Sequence, residues 1–297
     1  ISVVFRINKH HVQPFFITVE PADFCQLQCP ECPVGASKRN SGNTIDFSVF
    51  QKLVDELRST LFHMQFYFQG EPLLNRQLAE MIRVAHKAKI YTSISTNAQL
   101  LNEKTAHELV LSGLDKIIIS MDGATQEVYE KYRIGGKLNL ALKGIEWINR
   151  WKKEYHSATP FVEMQLVVFK TNEHQLDAIR QLAKQYKADK LTLKSAQIYN
   201  FEQGSSLHTT IAKYSRYTQL ENGTYTLKNK LHNRCYRLWS GAVVDAKGNV
   251  LPCCFDKNGM HSFGDISQQS FATVYSNQTA IKFRQSIIEN RSQHEIC

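Results

Sequence analysis

The sequence predicts an α/β fold: a partial (β/α)6 TIM-like barrel followed by a small C-terminal cysteine-rich domain. Three observations carry this. Apolar strand-like runs alternate six times with helical patterns from Phe15 to about Ser195; the alternation then stops; and the seven cysteines fall into two groups far apart in the 297 residues. Strand–helix alternation implies parallel strands with right-handed crossovers, because parallel neighbours need a helix-length connection. Six units are too few to close an eight-unit barrel, so an open one fits.

Phe15–Glu20 reads as the first strand and ends just before the first cysteines. Phe50, Leu53, Val54 and Leu57 recur at helical spacing, with Asp46 or Ser48 as N-cap. Met64–Phe68 is the second strand and Leu78–Ala88 the next helix; Ile90–Thr96 is the third strand, followed by a helix from Asn102 that stops at Gly113. Lys116–Ser120 is the fourth strand, with helices over Ala124–Tyr132 and Leu138–Trp151; Phe161–Phe169 is the fifth, with His174–Tyr186 helical after it, and Lys190–Ser195 is the sixth. The polar stretch from Gln197 to Leu231 reads as a linker or substrate-facing insertion. Ala242–Leu251 is a hairpin around a glycine turn, and Phe271–Glu289 is helical. The expected domains are residues 1–200, 201–231 and 232–297.

Mean hydropathy is −0.35, and no run of about 18 apolar residues exists, so no transmembrane helix and no membrane partner are expected. Nothing reads as a signal peptide, and the expectation is a soluble, cytoplasmic globular protein. The net charge of +9 is scattered; its densest spots, Lys38-Arg39 and Lys152-Lys153, are too short for nucleic-acid tails, so a nucleic-acid partner is not expected. An odd number of cysteines in tight clusters, without an export signal, does not fit a secreted disulfide framework and points to metal or redox work.

Cys25, Cys29 and Cys32 sit in the loop after the first strand, and in parallel α/β folds the C-terminal strand ends carry the chemistry. Three thiolates on one loop can hold an iron–sulfur cluster with one iron left open. A structural zinc site is the alternative; it needs a fourth ligand, and paired Cys-x-x-Cys units are its usual spacing.

With this triplet the chain resembles the radical S-adenosylmethionine (radical SAM) enzymes, whose signature is three cysteines spaced three and two after the first strand of a partial six-stranded barrel. Glu31 stands where that family usually has an aromatic residue. Gln69-Gly70-Glu71-Pro72 resembles the family's Gly-Gly-Glu-Pro element, with Gln69 replacing the first glycine. Ser95-Thr96-Asn97-Ala98 stands where relatives often carry Thr-Asn-Gly, and Ser120-Met121-Asp122-Gly123 resembles Ser-x-Asp-Gly. The resemblance implies that Gln69, Gly70 and Glu71 receive the cofactor's ammonium group and that Arg133 pairs with its carboxylate. It also implies further contacts from Asn97, Ser120 and Asp122, with Val168 lining the adenine.

Cys235, Gly248, Cys253 and Cys254, with Phe263-Gly264-Asp265-Ile266, resemble the start of the SPASM domain, a C-terminal extension that binds auxiliary iron–sulfur clusters. The full domain uses seven cysteines for two clusters, and only four follow Ser195 here. One auxiliary 4Fe–4S cluster on Cys235, Cys253 and Cys297 is the expectation, its fourth ligand being Cys254 or a cysteine beyond Cys297. Zinc at this second site is the alternative.

The resemblance implies reductive cleavage of S-adenosylmethionine to a 5′-deoxyadenosyl radical, which takes a hydrogen atom from a peptide, protein or small-molecule substrate. An external one-electron donor, flavodoxin- or ferredoxin-like, is implied with it. The first strand begins within about the first 15 residues, which argues against a separate peptide-leader domain ahead of the barrel. A non-catalytic zinc- or cluster-binding interaction protein and an RNA-modifying enzyme are the competing readings.

Overall fold

The computed structural model describes residues 13–37, 42–229 and 232–297. In chain order its elements are β1 (Phe16–Val19), α1 (Pro33–Ser37), α2 (Phe47–Leu57), β2 (His63–Phe66), α3 (Leu78–Lys87), β3 (Tyr91–Thr96), α4 (Glu103–Leu111) and β4 (Lys116–Ser120). Then come α5 (Gln126–Tyr132), α6 (Leu138–Glu154), β5 (Phe161–Val168), α7 (Leu176–Gln185), β6 (Lys190–Ser195), β7 (Tyr217–Gln219) and β8 (Tyr225–Leu227). The C-terminal part holds α8 (Arg237–Ser240), β9 (Gly241–Val244), β10 (Asn249–Leu251), β11 (Gly264–Asp265), α9 (Phe271–Tyr275) and α10 (Gln278–Asn290). The chain is mixed α/β with largely parallel strand pairing, as the alternation predicts. No described helix is long and apolar enough to cross a membrane.

The chain forms two compact units, one within Ile1–Phe24, Asn40–Ile94 and Leu231–Cys297, the other within Cys25–Arg39 and Ser95–Lys230. In the first, β1 runs parallel to β2, with Ile17 opposite Met64, and β2 runs parallel to β3. On its other side β1 pairs in parallel with β9, Ile17 facing Ala242, so the expected C-terminal hairpin β9–β10 continues the sheet. Nothing in local sequence signals that pairing. Ile17, Val19, Met64 and Phe66 are buried, and apolar burial of this kind suits a covered parallel sheet. Asp46 caps α2 through the Ser48 and Val49 N–H groups, and Phe50, Leu53, Val54 and Leu57 form its buried stripe.

The single helix expected over Phe271–Glu289 is two. Asn277 interrupts it, accepting from the Ala280 N–H as the cap of α10 while its Nδ2 donates to the Phe263 carbonyl. The N-terminus of α9 is held by Glu56 of α2, whose carboxylate accepts from the Phe271 and Ala272 N–H groups at 2.8 and 2.6 Å.

In the second unit β4, β5 and β6 are parallel neighbours in register, Ile119 facing Met164 and Leu166 facing Leu193. Helix α4 starts on the Asn102 cap and lies against α6, where Trp151 Nε1 donates to the Glu103 carbonyl. The stretch expected as a linker or insertion carries structure of its own. It folds into the antiparallel β7–β8 hairpin, and Tyr217 stacks on Phe201 over a small core of Phe169, Ala196, Ile198 and Leu207. The Tyr217 hydroxyl locks it, accepting from the Ile198 N–H and donating to the Ile198 carbonyl.

Candidate active site

Cys25 lies in the loop that follows β1, and polar groups of the second unit turn toward the sulfurs of this loop. The Leu27 N–H and Asn97 Nδ2 each donate to Cys25 Sγ at 3.4 Å, and Asn97 Oδ1 in turn accepts from Gln26. Arg133 Nη1 lies 3.9 Å from Cys29 Sγ. The Cys32 N–H donates to the Cys29 carbonyl, and α1 starts at the next residue. Burial pushes the Cys29 thiol up, and the Arg133 guanidinium draws it back toward the thiolate. Hydrogen-bond donors aimed at cysteine sulfur are what an iron–sulfur cluster's thiolates use, so this donor set fits such a group. Glu31, in the place of an aromatic, accepts from the Tyr199 N–H at 3.1 Å and so fastens the loop to the stretch after β6.

Arg133 is held by Asp122. Its Nε donates to Asp122 Oδ2 at 2.6 Å, while Asp122 Oδ1 accepts from the Val167 N–H. Burial works against the guanidinium's charge, but Asp122 and Cys29 more than offset it and keep Arg133 protonated. Asn172, which the motif reading did not single out, donates to both the Asp122 and Val167 carbonyls. Ser120 and Val168 are the buried last residues of β4 and β5. Ala98, where relatives often have glycine, adopts a left-handed φ of 59°, which costs a residue with a Cβ.

In the first unit, Gln69, Gly70 and Glu71 follow β2. The N–H groups of Gln69 and Gly70 both donate to Oε1 of Glu20, at 3.1 and 3.3 Å, and Gln69 Nε2 donates to the Lys257 carbonyl at 2.6 Å. The Glu71 N–H donates to the carbonyl of Phe24, the residue before Cys25, and its carboxylate accepts from the Leu73 N–H as the cap of a short 3-10 turn. Glu20 escaped the motif search. Its only signal is an acidic residue ending an apolar strand that is otherwise buried.

Glu20 is itself buried, and burial pushes its carboxyl from 4.5 up to about 7, against the Gln69, Gly70 and Ala246 N–H groups and with Asp245 adding to the rise. Below about 4.5 it is protonated in both folded and unfolded chains; from there to about 7 only the folded chain keeps the proton. Its contribution to stability is therefore present at low pH and lost as pH rises to about 7, by roughly 3 kcal/mol. Urea unfolding of wild type against Glu20→Gln between pH 5 and 8 checks this: the difference should shift steadily against the wild type, and a pH-independent difference overturns it.

The second cysteine group also lies in the first unit. Cys235 acts electrostatically on both Cys253 and Cys297, and all three act on Arg291, which bonds to Cys297. Burial pushes the Cys253 thiol up to about 12, against the Phe255 N–H, with Cys254 and Cys235 adding to the rise. Cys254 is half-buried and accepts from Arg237 Nη1 at 3.2 Å. Among the described residues, no three or more His, Cys, Asp or Glu side chains are drawn together as a ready cage for a metal ion.

The model of the Radical SAM superfamily matches residues 19–183, more than half of the chain. The chain belongs to the radical SAM superfamily. The model of the SPASM iron–sulfur cluster-binding domain matches residues 235–297. A PqqA peptide cyclase of Bradyrhizobium diazoefficiens is 26% identical over 285 residues, covering 90% of this chain and 71% of the relative. The mycofactocin maturase MftC of Mycobacterium ulcerans is 28% identical over 207 residues, covering 67% of this chain and 53% of that one. Among solved structures, BtrN in complex with AdoMet and 2-DOIA superposes with a TM-score of 0.58 at 21% identity, covering 96% of this chain and 92% of BtrN. Streptococcus suis SuiB bound to its precursor peptide SuiA gives a TM-score of 0.72 at 13% identity, covering 95% of this chain and 69% of SuiB. At such identities these structures speak for the fold. As a radical SAM and SPASM chain, the protein is an enzyme whose cofactors are a 4Fe–4S cluster with S-adenosylmethionine and auxiliary iron–sulfur chemistry.

Proposed function

We propose that this radical SAM enzyme is a maturase that removes a hydrogen atom from a peptide substrate, on a partial (β/α)6 barrel, in the reducing cytoplasm. Sequence relatives named as a peptide cyclase and a maturase support the substrate class. Cys25, Cys29 and Cys32 would hold the 4Fe–4S cluster; the observation that carries this is the pair of donors, Asn97 on Cys25 and Arg133 on Cys29, aimed at their sulfurs. Gln69, Gly70 and Glu71 would receive the ammonium of S-adenosylmethionine. Arg133, steadied by Asp122, would receive its carboxylate, since a forked guanidinium suits that anion. Asn97, Ser120 and Val168 would complete its binding site. Cys235, Cys253 and Cys297, with Cys254 or a cysteine beyond the sequence, would hold an auxiliary cluster, and a flavodoxin- or ferredoxin-like protein would supply the electron.

When bound, the cluster and S-adenosylmethionine supply a 5′-deoxyadenosyl radical able to attack an unactivated C–H bond. The chain's own work is to orient both reactants and exclude water and competing hydrogen donors.

The experiment is anaerobic: reconstitute with iron and sulfide, add S-adenosylmethionine and dithionite, and quantify 5′-deoxyadenosine beside iron per chain. Turnover should fall to background in a Cys25→Ala, Cys29→Ala, Cys32→Ala variant that retains iron at the second site. Undiminished cleavage in that variant sinks the assignment of the first cysteines, and a wild type without cleavage sinks the activity.

A further inference from the structure

Glu20 occupies an unusual position for a buried carboxylate: among the described residues it is held by main-chain N–H groups rather than by a cation. Its two oxygens are filled by main-chain donors from two separate segments. Oε1 takes the N–H groups of the consecutive residues Gln69 and Gly70, and Oε2 takes the N–H of Ala246 in the β9–β10 turn at 3.4 Å. The residue is fixed from behind as well, since its own N–H donates to the Val244 carbonyl at 2.8 Å.

Two consecutive N–H groups converging on one anionic oxygen form a backbone nest. In a planar trans peptide the N–H and C=O point in opposite directions, and the one cis bond among the described residues is Thr159-Pro160. With the Gln69 and Gly70 N–H groups turned onto Glu20, the carbonyls of Phe68 and Gln69 must face the other way. Successive carbonyls on one side of a turn make an acceptor surface for a cation. The Glu71 N–H bond to Phe24 and the Gln69 Nε2 bond to Lys257 fix the same segment at two further points.

We propose that Glu20 is a positioning residue for S-adenosylmethionine: by holding the Gln69 and Gly70 N–H groups, it aims the Phe68 and Gln69 carbonyls at the cofactor's ammonium. This rests on the reading of that segment as the ammonium site. The ionised carboxylate is the working form, because a charged acceptor holds N–H donors more firmly than a neutral one. Asp245, on the hairpin packed against Glu20, is a charged side chain that adds to the rise, and burial sets the protonation of Glu20 near neutrality. The same ionisation that lowers stability thus serves binding.

The test compares two probes on the full reconstituted chain: S-adenosylhomocysteine, which carries the amino-acid end, and 5′-methylthioadenosine, which lacks it. Glu20→Gln keeps the shape but offers one oxygen, and its amide N–H2 meets another donor at either Gln69-Gly70 or Ala246. The variant should bind S-adenosylhomocysteine about tenfold more weakly and 5′-methylthioadenosine unchanged. The wild type needs no mutation to answer as well: lowering pH from 8 to 6 should weaken the first ligand and spare the second. Equal losses for both ligands, or no loss for either, overturn the proposal while leaving the ammonium site standing. A wild type that binds neither ligand overturns the underlying reading, and the proposal with it.

Discussion

Gly70→Ala is expected to cost about 3 kcal/mol of stability and on the order of 100-fold in kcat/KM for S-adenosylmethionine. A Cβ at this position would lie 2.0 Å from the Ala22 carbonyl oxygen and 2.8 Å from the Phe24 nitrogen. Both are main-chain atoms, so no side chain can swing away to make room. The segment must back off from the Ala22 and Phe24 backbone that precedes Cys25, and the Gly70 N–H then leaves Glu20. Urea unfolding reads the first effect, and initial rates of 5′-deoxyadenosine formation against cofactor concentration read the second. A Gly70→Ala protein with the wild-type midpoint and wild-type rates would show that the close approach is dispensable.

Asp122→Ala should be as damaging by a different route. It strands the Arg133 guanidinium beside Cys29 and leaves the Val167 N–H without its acceptor. Removing one member of a buried pair costs about 3–5 kcal/mol, chiefly because the other charge stays buried alone. The diagnostic variant is therefore the double one, Asp122→Ala with Arg133→Met. It should recover much of the lost stability and still fail to turn over, because the forked donor is gone. Recovery of turnover in the double variant would remove Arg133 from cofactor binding.

The strands and their chemistry were largely legible. Lys116–Ser120 and Lys190–Ser195 are strands with the expected bounds: Ile117-Ile118-Ile119 has no polar face to expose and fits only a covered sheet, whereas Lys190–Ser195 alternates charged or polar with apolar residues and is nowhere fully buried. The cysteine loop was legible because three thiols at short spacing are rare and have few uses. The polar stretch after Ser195 was harder. Its tyrosines gave no period, since Tyr217 of β7 and Tyr225 of β8 reach the cluster around Phe169 from two different strands rather than along one element. The break at Asn277 was hidden by apolar spacing that runs on through Phe271, Val274 and Ile281, whereas the decisive bond, Asn277 to the Phe263 carbonyl, joins residues 14 apart.

The motifs mark Arg133 and Asp122 separately, and nothing in local sequence signals that the guanidinium of the one donates to the carboxylate of the other, 11 residues away. Glu20 was invisible. A buried carboxylate announces itself only through what it accepts from, and its donors lie 49, 50 and 226 residues away.

By itself the sequence determined the alternation of elements and the residue types on offer: which residues could bind iron and sulfur, the order of strands and helices, and hence which loops carry thiols, glycines and the arginine. These follow from covalent spacing and local periodicity. Only the tertiary structure decided which donors face which sulfur, that β9 pairs with β1, and that one carboxylate gathers N–H groups from two segments. Those outcomes depend on burial, which leaves a buried polar group to find its partner wherever the fold brings one within hydrogen-bond reach.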